Sequence, residues 1–189
     1  MADGSKPVKV LGICGSLRRG SYNRMLLRVA QEVLPPAMTL ETFDIAPIPL
    51  YNEDVRQAGF PKPVEEFRSK IAAADALLFV TPEYNYSIPG VLKNAIDWAS
   101  RPPGQPFEGK PAAVMGASMG TGGTVRSQYH LRQSLVYLDV HFLNRPEIFV
   151  AQAHTKFDEH GKLKDETALG LVKDLMAALA AWARRLRGD

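Results

Sequence analysis

Residues 8–23 read Val8-Lys9-Val10-Leu11-Gly12-Ile13-Cys14-Gly15-Ser16-Leu17-Arg18-Arg19-Gly20-Ser21-Tyr22-Asn23. The apolar run Val8 to Cys14 predicts a buried first strand, and Met25-Leu26-Leu27-Arg28-Val29-Ala30 predicts a helix directly after the loop. A loop that ends a strand and opens a helix gathers unpaired N–H groups at one point, which the aligned peptide dipoles make positive. First turns of helices favour Asp or Glu, yet no acidic residue lies between Gly4 and Gln31, whereas Lys6, Lys9, Arg18, Arg19, Arg24 and Arg28 all do. The countercharge has to come from elsewhere. Gly15 admits close approach of the backbone, Ser16 and Ser21 bring hydroxyls, Asn23 an amide, and Arg18 a planar fork suited to a phosphate dianion. The alternative is a capped surface loop with Ser21 as N-cap, but capping alone requires neither Arg18 nor Ser16.

Short apolar runs alternate with amphipathic segments along the rest of the chain. Strands are expected at Val8 to Cys14, Thr39 to Asp44, Ala76 to Thr81, Ala112 to Ala117 and Val140 to Val150. Helices are expected at Ser21 to Leu34, Val64 to Ala74, Pro89 to Ser100, Gly123 to Leu138 and Asp165 to Leu186. Alternation of this kind marks βαβ units, so a five-stranded, doubly wound parallel sheet covered on both faces is predicted. The last helix carries Leu169, Val172, Met176, Leu179, Ala183 and Leu186 on one stripe, and its basic end Arg184-Arg185-Leu186-Arg187-Gly188 suits a helix C-terminus. Ala46 to Asn52 holds two prolines and reads as an extended loop; His154 to Lys164 is polar and reads as an exposed excursion.

A chain of 189 residues suits one well-cored domain, taken as 1–189. A formal charge of +3 without a long basic run gives nucleic-acid binding little support, while the basic N-terminal third suggests a negatively charged small molecule. Cys14 is the single cysteine, which excludes an internal disulfide and suits a reducing, cytoplasmic setting. The polar opening is unlike a signal sequence, and no apolar stretch approaches the roughly 20 residues of a membrane span.

Ligands of open α/β sheets sit beyond the carboxyl ends of the strands. After the third strand comes Thr81-Pro82-Glu83-Tyr84-Asn85-Tyr86-Ser87-Ile88-Pro89-Gly90, a proline-stiffened loop able to hold an aromatic ring against backbone donors, or else a structural turn whose tyrosines cover the next helix. After the fourth comes Ser118-Met119-Gly120-Thr121-Gly122-Gly123, which permits close backbone approach but by itself is weak evidence of a ligand.

Taken together, Gly15-Ser16-Leu17-Arg18 with Ser21 and Asn23, Pro82-Glu83-Tyr84-Asn85-Tyr86-Ser87, and Ser118 with its glycines resemble the NAD(P)H-dependent FMN reductase family, over about Val8 to Val150. The resemblance implies a flavodoxin-like α/β fold, a three-layer α/β/α sandwich with strand order 2-1-3-4-5. It places Ser16, Arg18, Ser21 and Asn23 around an FMN phosphate, Pro82, Glu83, Tyr84 and Asn85 along the isoalloxazine, and Ser118 with Gly120 on its other side. Tyr22 and Tyr86 complete the implied cofactor-binding set. Arg19 is an extra cation relative to the family pattern.

The implied chemistry is hydride transfer from NADPH or NADH to the flavin and on to a small acceptor such as a quinone, flavin, azo compound or chromate. Both substrates use one face, so ping-pong kinetics are implied. No catalytic side chain and no metal are expected, and His130, His141, His154 and His160 lack ligand or triad spacing. A homodimer or homotetramer is implied. The Gly-x-Gly-x-x-Gly fingerprint is absent, which leaves NADH against NADPH open. Arg101 reads as a contact to the donor's phosphate, to a neighbouring subunit, or as a solvated helix-end cation. The competing reading is a flavodoxin-type FMN electron carrier, which resembles this chain less because such carriers are acidic and their phosphate loops lack an Arg. A non-redox nucleotide-binding module is a third.

Overall fold

A computed structural model describes residues 6–188; the polar opening at residues 1–5 lies outside the described residues. In chain order the elements are β1 (Val8–Cys14), α1 (Tyr22–Glu32), β2 (Met38–Phe43), α2 (Glu53–Ala58), α3 (Lys62–Ala73), β3 (Ala76–Val80) and α4 (Gly90–Ala99). They continue with β4 (Pro111–Ala117), α5 (Val125–Val136), β5 (His141–Phe142), β6 (Ile148–Val150), α6 (Ala153–Lys156) and α7 (Glu166–Arg187). All strand pairs are parallel, in the order β2-β1-β3-β4-β5, with β6 also against β4. This is the flavodoxin-like order expected.

Side chains alternate across the sheet with the period of two that strand geometry imposes. Val8, Val10, Leu78, Val80, Ala113 and Met115 face α1 and α7 in one core. Leu11, Ile13, Leu77, Phe79, Ala112 and Val114 face α3, α4 and α5 in the other. The central strands are buried on both faces, which is why they read as unbroken apolar runs rather than as alternating ones.

The expected fifth strand, Val140 to Val150, is two strands. Phe142 pairs with Ala112 and Ile148 with Met115, so two β4 residues are matched by five on the neighbouring segment, and residues 143–147 bulge out of the ladder. Pro146 has no N–H to give that ladder, and the segment leaves the sheet around it.

Nothing in the prolines that precede it announces helix α2. Asn52 caps it, its side chain accepting from the Asp54 N–H at 2.9 Å, and Glu53 and Asp54 suit its first turn. The segment His154 to Lys164 departs from the exposed excursion expected. It contains most of α6 and a bridge between Phe157 and Leu163, both buried, and the Phe157 ring lies 5.6 Å from that of Tyr22.

β1 is followed by β2 on one side while β3 begins the other wing, so the loops after β1 and β3 diverge at a topological switch point. The Gly15 N–H donates to the Val80 carbonyl at 2.9 Å, holding the two loops together. A Cβ on Gly15 would lie 3.1 Å from Leu92 Cδ2 and 3.4 Å from both Pro82 and Pro89, which explains a glycine where the walls converge.

Candidate functional site

The first wall is the loop before α1. Ser21 is its N-cap: the hydroxyl accepts from the Asn23 N–H at 3.2 Å and the Arg24 N–H at 3.4 Å. Among the described residues the backbone N–H groups of 17–22 donate to no protein acceptor, and the first turn holds no acid. Arg18 is exposed; its Nη2 donates to the Gly20 carbonyl at 2.5 Å and its guanidinium lies 5.8 Å from the centre of the Tyr22 ring. Arg19 is exposed beside it with no ion pair among the described residues. Ser16 is buried, and its carbonyl accepts from Arg24 Nε at 3.0 Å, while Arg24 Nη2 reaches Asp44 at 3.4 Å. The capping and anion readings of this loop are therefore compatible: Ser21 caps, and the row of N–H groups before it stays free.

Asn23 has another task. Its amide donates to the Ala117 carbonyl at 2.8 Å and accepts from the Ala117 N–H at 2.9 Å, fastening α1 to the end of β4. It shapes the loop from behind.

The second wall follows β3. Tyr84 and Ser87 exchange backbone hydrogen bonds, both 3.0 Å, around Asn85 and Tyr86 at φ 50° and 66°. Two left-handed central residues make this a type I′ turn. The backbone N–H groups of Glu83, Asn85 and Tyr86 have no protein acceptor among the described residues. The Glu83 carboxylate turns away, accepting from the Arg126 and Ser127 N–H groups at 3.0 and 3.1 Å. Thr124, the N-cap of α5, makes no side-chain cap bond, so Glu83 supplies the missing acceptor and the negative charge a helix N-terminus favours.

The third wall follows β4. Ser118 donates its N–H to the Val150 carbonyl at 2.9 Å, and its hydroxyl accepts from the Gly120 N–H at 3.2 Å. A Cβ on Gly116 would lie 2.3 Å from both the Thr81 carbonyl and Thr124 Oγ1. Only glycine lets the second and third walls approach so closely.

The three walls bring together Ser16, Arg18, Ser21, Tyr22, Pro82, Glu83, Tyr84, Asn85, Tyr86, Ser118 and Gly120 at the carboxyl ends of β1, β3 and β4, with Asn23 behind them. Arg101 stands apart at the end of α4, donating to the Asp97 carbonyl and to Ser100 Oγ, each at 3.1 Å, as a helix-end cation. Cys14 is buried and burial pushes its thiol up, so it packs rather than reacts. Sequence reasoning missed the α5 side chains that grip the second wall: Ser127 Oγ donates to the Pro82 carbonyl at 2.9 Å, and His130 Nδ1 lies 2.7 Å from Ser87 Oγ. More than forty residues separate these partners, and no short-range pattern signals them.

The family model of NADPH-dependent FMN reductases matches residues 8–155. An NAD(P)H-dependent FMN reductase of Pseudomonas aeruginosa is 61% identical over 184 residues, covering 97% of this chain and all of that one. The quinone reductase of Escherichia coli is 43% identical, covering 97% and 99%. Among solved structures, the flavoenzyme NAD(P)H:(acceptor) oxidoreductase FerB of Paracoccus denitrificans superposes with a TM-score of 0.86 at 35% identity, covering 94% of this chain and 98% of that one.

Proposed function

The chain belongs to the NADPH-dependent FMN reductase family, and from that membership we propose that residues 1–189 act as one FMN-binding domain that passes a hydride from NADPH or NADH to a small acceptor. Quinones are the acceptor class best supported by the names of its relatives; free flavins, azo compounds and chromate fit the same open face. The carrier reading gives way to this one because the relatives are named as reductases.

One observation carries the proposal: the free N–H groups of residues 17–22, with Arg18 beside them and no acid in the first turn of α1, form a preset dianion cradle. The phosphate of FMN fits it in charge and in donor count. The second wall fits the ring, because backbone N–H groups at Glu83, Asn85 and Tyr86 are available to a polar ring edge while Pro82 is buried behind them.

When bound, FMN supplies the hydride chemistry. Arg18 and the helix N-terminus neutralise the phosphate and fix one end of the ligand. The second wall orients the ring edge, and donors held there favour negative charge developing on it. Ser118 and Gly120 are small, which leaves one face open for donor and acceptor to occupy in turn. No side chain need act as base.

Tyr129, Val136 and Tyr137 are exposed on or just after α5, Tyr137 at 94%, and support assembly as a homodimer or homotetramer. A cytoplasmic location is proposed from the single buried cysteine; among the described residues no helix is long and apolar enough to cross a membrane. Protein incubated with FMN and desalted, then titrated anaerobically with NADPH or NADH, tests the function. Bleaching of the flavin band, restored by a quinone, is expected; a retained flavin that neither nucleotide bleaches overturns it.

A further inference from the structure

We propose that Thr81 and Ser127 are positioning residues that orient the peptide between Pro82 and Glu83 and, through it, set the reduction potential of the bound flavin. The inference rests on the FMN reading above and goes beyond it. Both side chains are fully buried, at 0% exposure, one at the end of β3 and the other in the first turn of α5. Both hydroxyls donate to a single acceptor: Thr81 Oγ1 and Ser127 Oγ each lie 2.9 Å from the Pro82 carbonyl oxygen. A carbonyl has two lone pairs, so this one is saturated.

Ser127 is the third residue of α5, where a capping box would place a Glu or Gln. Glu83 supplies the acid instead, its Oε2 accepting from the Ser127 N–H at 3.1 Å. Ser127 thus holds the residues on both sides of one peptide bond, and Thr81 secures it from the strand. Turning that peptide over would take its carbonyl from two buried hydroxyls, which is costly in a dry interior. A planar trans peptide points its N–H opposite to its C=O. With the Pro82 carbonyl held against α5, the Glu83 N–H faces away from that helix, and it has no protein acceptor among the described residues. Hydroxyls donating to the carbonyl also polarise the peptide and strengthen its N–H as a donor. Such a donor at the ring edge favours the electron-rich reduced ring over the oxidised one and so raises the potential. Packing alone would require neither hydroxyl, because Val at 81 and Ala at 127 fill nearly the same space.

The test compares Thr81→Val, which keeps the shape and removes the hydroxyl, with Thr81→Ser, which keeps the hydroxyl and trims the shape. Ser127→Ala repeats the loss from the helix side and decides the matter should Thr81→Val fail to fold. Affinity for oxidised FMN is read from quenching of its fluorescence, and the midpoint potential of the bound flavin from anaerobic equilibration with a dye of known potential. Thr81→Val and Ser127→Ala are each expected to weaken reduced FMN about fivefold more than oxidised FMN, which lowers the two-electron potential by about 20 mV. Thr81→Ser is expected to keep the native potential. Equal weakening of both redox forms, which leaves the potential unchanged, or a shift in Thr81→Ser as large as in Thr81→Val, overturns the proposal alone. A native protein that takes up no FMN overturns the cofactor reading as well.

Discussion

Asn23 in the first turn of α1 and Ala117 at the end of β4 exchange two hydrogen bonds, of 2.8 and 2.9 Å, across 94 positions of chain. Both amide functions of a 3% exposed side chain are used in this way, so its main task is to hold the first wall against the third. Asn23→Ala leaves the N–H and the carbonyl of Ala117 without partners, and each buried unpaired group costs about 1 to 3 kcal/mol. The protein without FMN should therefore unfold at a clearly lower urea concentration. Unchanged apo stability, with only FMN affinity lowered, would return Asn23 to a ligand-binding role.

Two glycines should respond in opposite directions to the same substitution. Gly116→Ala places a methyl 2.3 Å from the Thr81 carbonyl, a backbone atom that can move only by distorting the ladder. A loss of roughly 3 kcal/mol is expected, at the upper end of ordinary overpacking. Gly170 lies inside α7, and a methyl group added there would meet nothing within 4 Å. Gly170→Ala should stabilise by about 0.5 to 1 kcal/mol through helix propensity. Thermal unfolding of the two variants beside the native chain checks both signs.

Much of this is legible in the sequence because it rests on local order. The strands announce themselves as apolar runs, since a parallel sheet covered on both faces needs no alternation. The cradle shows as a basic, acid-free loop between strand and helix. What stays hidden is long-range or masked by punctuation. Pro146 sits in an otherwise continuous run, and only the β4 register shows that the fifth strand breaks around it. Pro47 and Pro49 draw attention from Asn52, whose cap and following acids do signal α2. The motif loops mark Glu83 and Asn23 as site residues, but not what their side chains bond. Their partners, Ser127 and Ala117, are 44 and 94 positions away and leave no local trace.

Asp165 links acid stability to the start of α7. Its carboxylate accepts from the Ala168 N–H at 2.7 Å and faces Lys156 Nζ at 3.1 Å, and these partners, the N–H first, hold its pKa below the usual value. A depressed carboxylate favours the folded state above its unfolded pKa, about 3.9, and that contribution fades as pH falls through the lower folded value. Asp165→Asn keeps a cap but takes up no proton in this range, so the variant should lose less stability than the native chain between about pH 4 and the acid end. Urea midpoints across that range provide the measurement; parallel acid limbs would show that this carboxylate contributes nothing there.

Arg18 and Arg19 are adjacent, exposed and alike in charge, so they separate geometry from mere electrostatics. Arg18 is drawn back over its own loop by the Gly20 carbonyl at 2.5 Å, which sets its fork beside the free N–H groups of the cradle. Arg19 has no such tether. A charge-assisted bond to a phosphate contributes about 1.5 to 3 kcal/mol. Arg18→Ala should thus weaken FMN binding roughly ten- to a hundredfold, with apo stability unchanged because no buried partner is abandoned. Arg19→Ala should change affinity only through long-range attraction, a small effect that salt screens within about a Debye length of 8 to 10 Å. Fluorescence titrations at low and high salt distinguish the two: the Arg18 deficit should persist at high salt, and the Arg19 deficit should disappear. Equal, salt-sensitive losses would mean that the phosphate senses the charge of the loop and not the placement of one guanidinium.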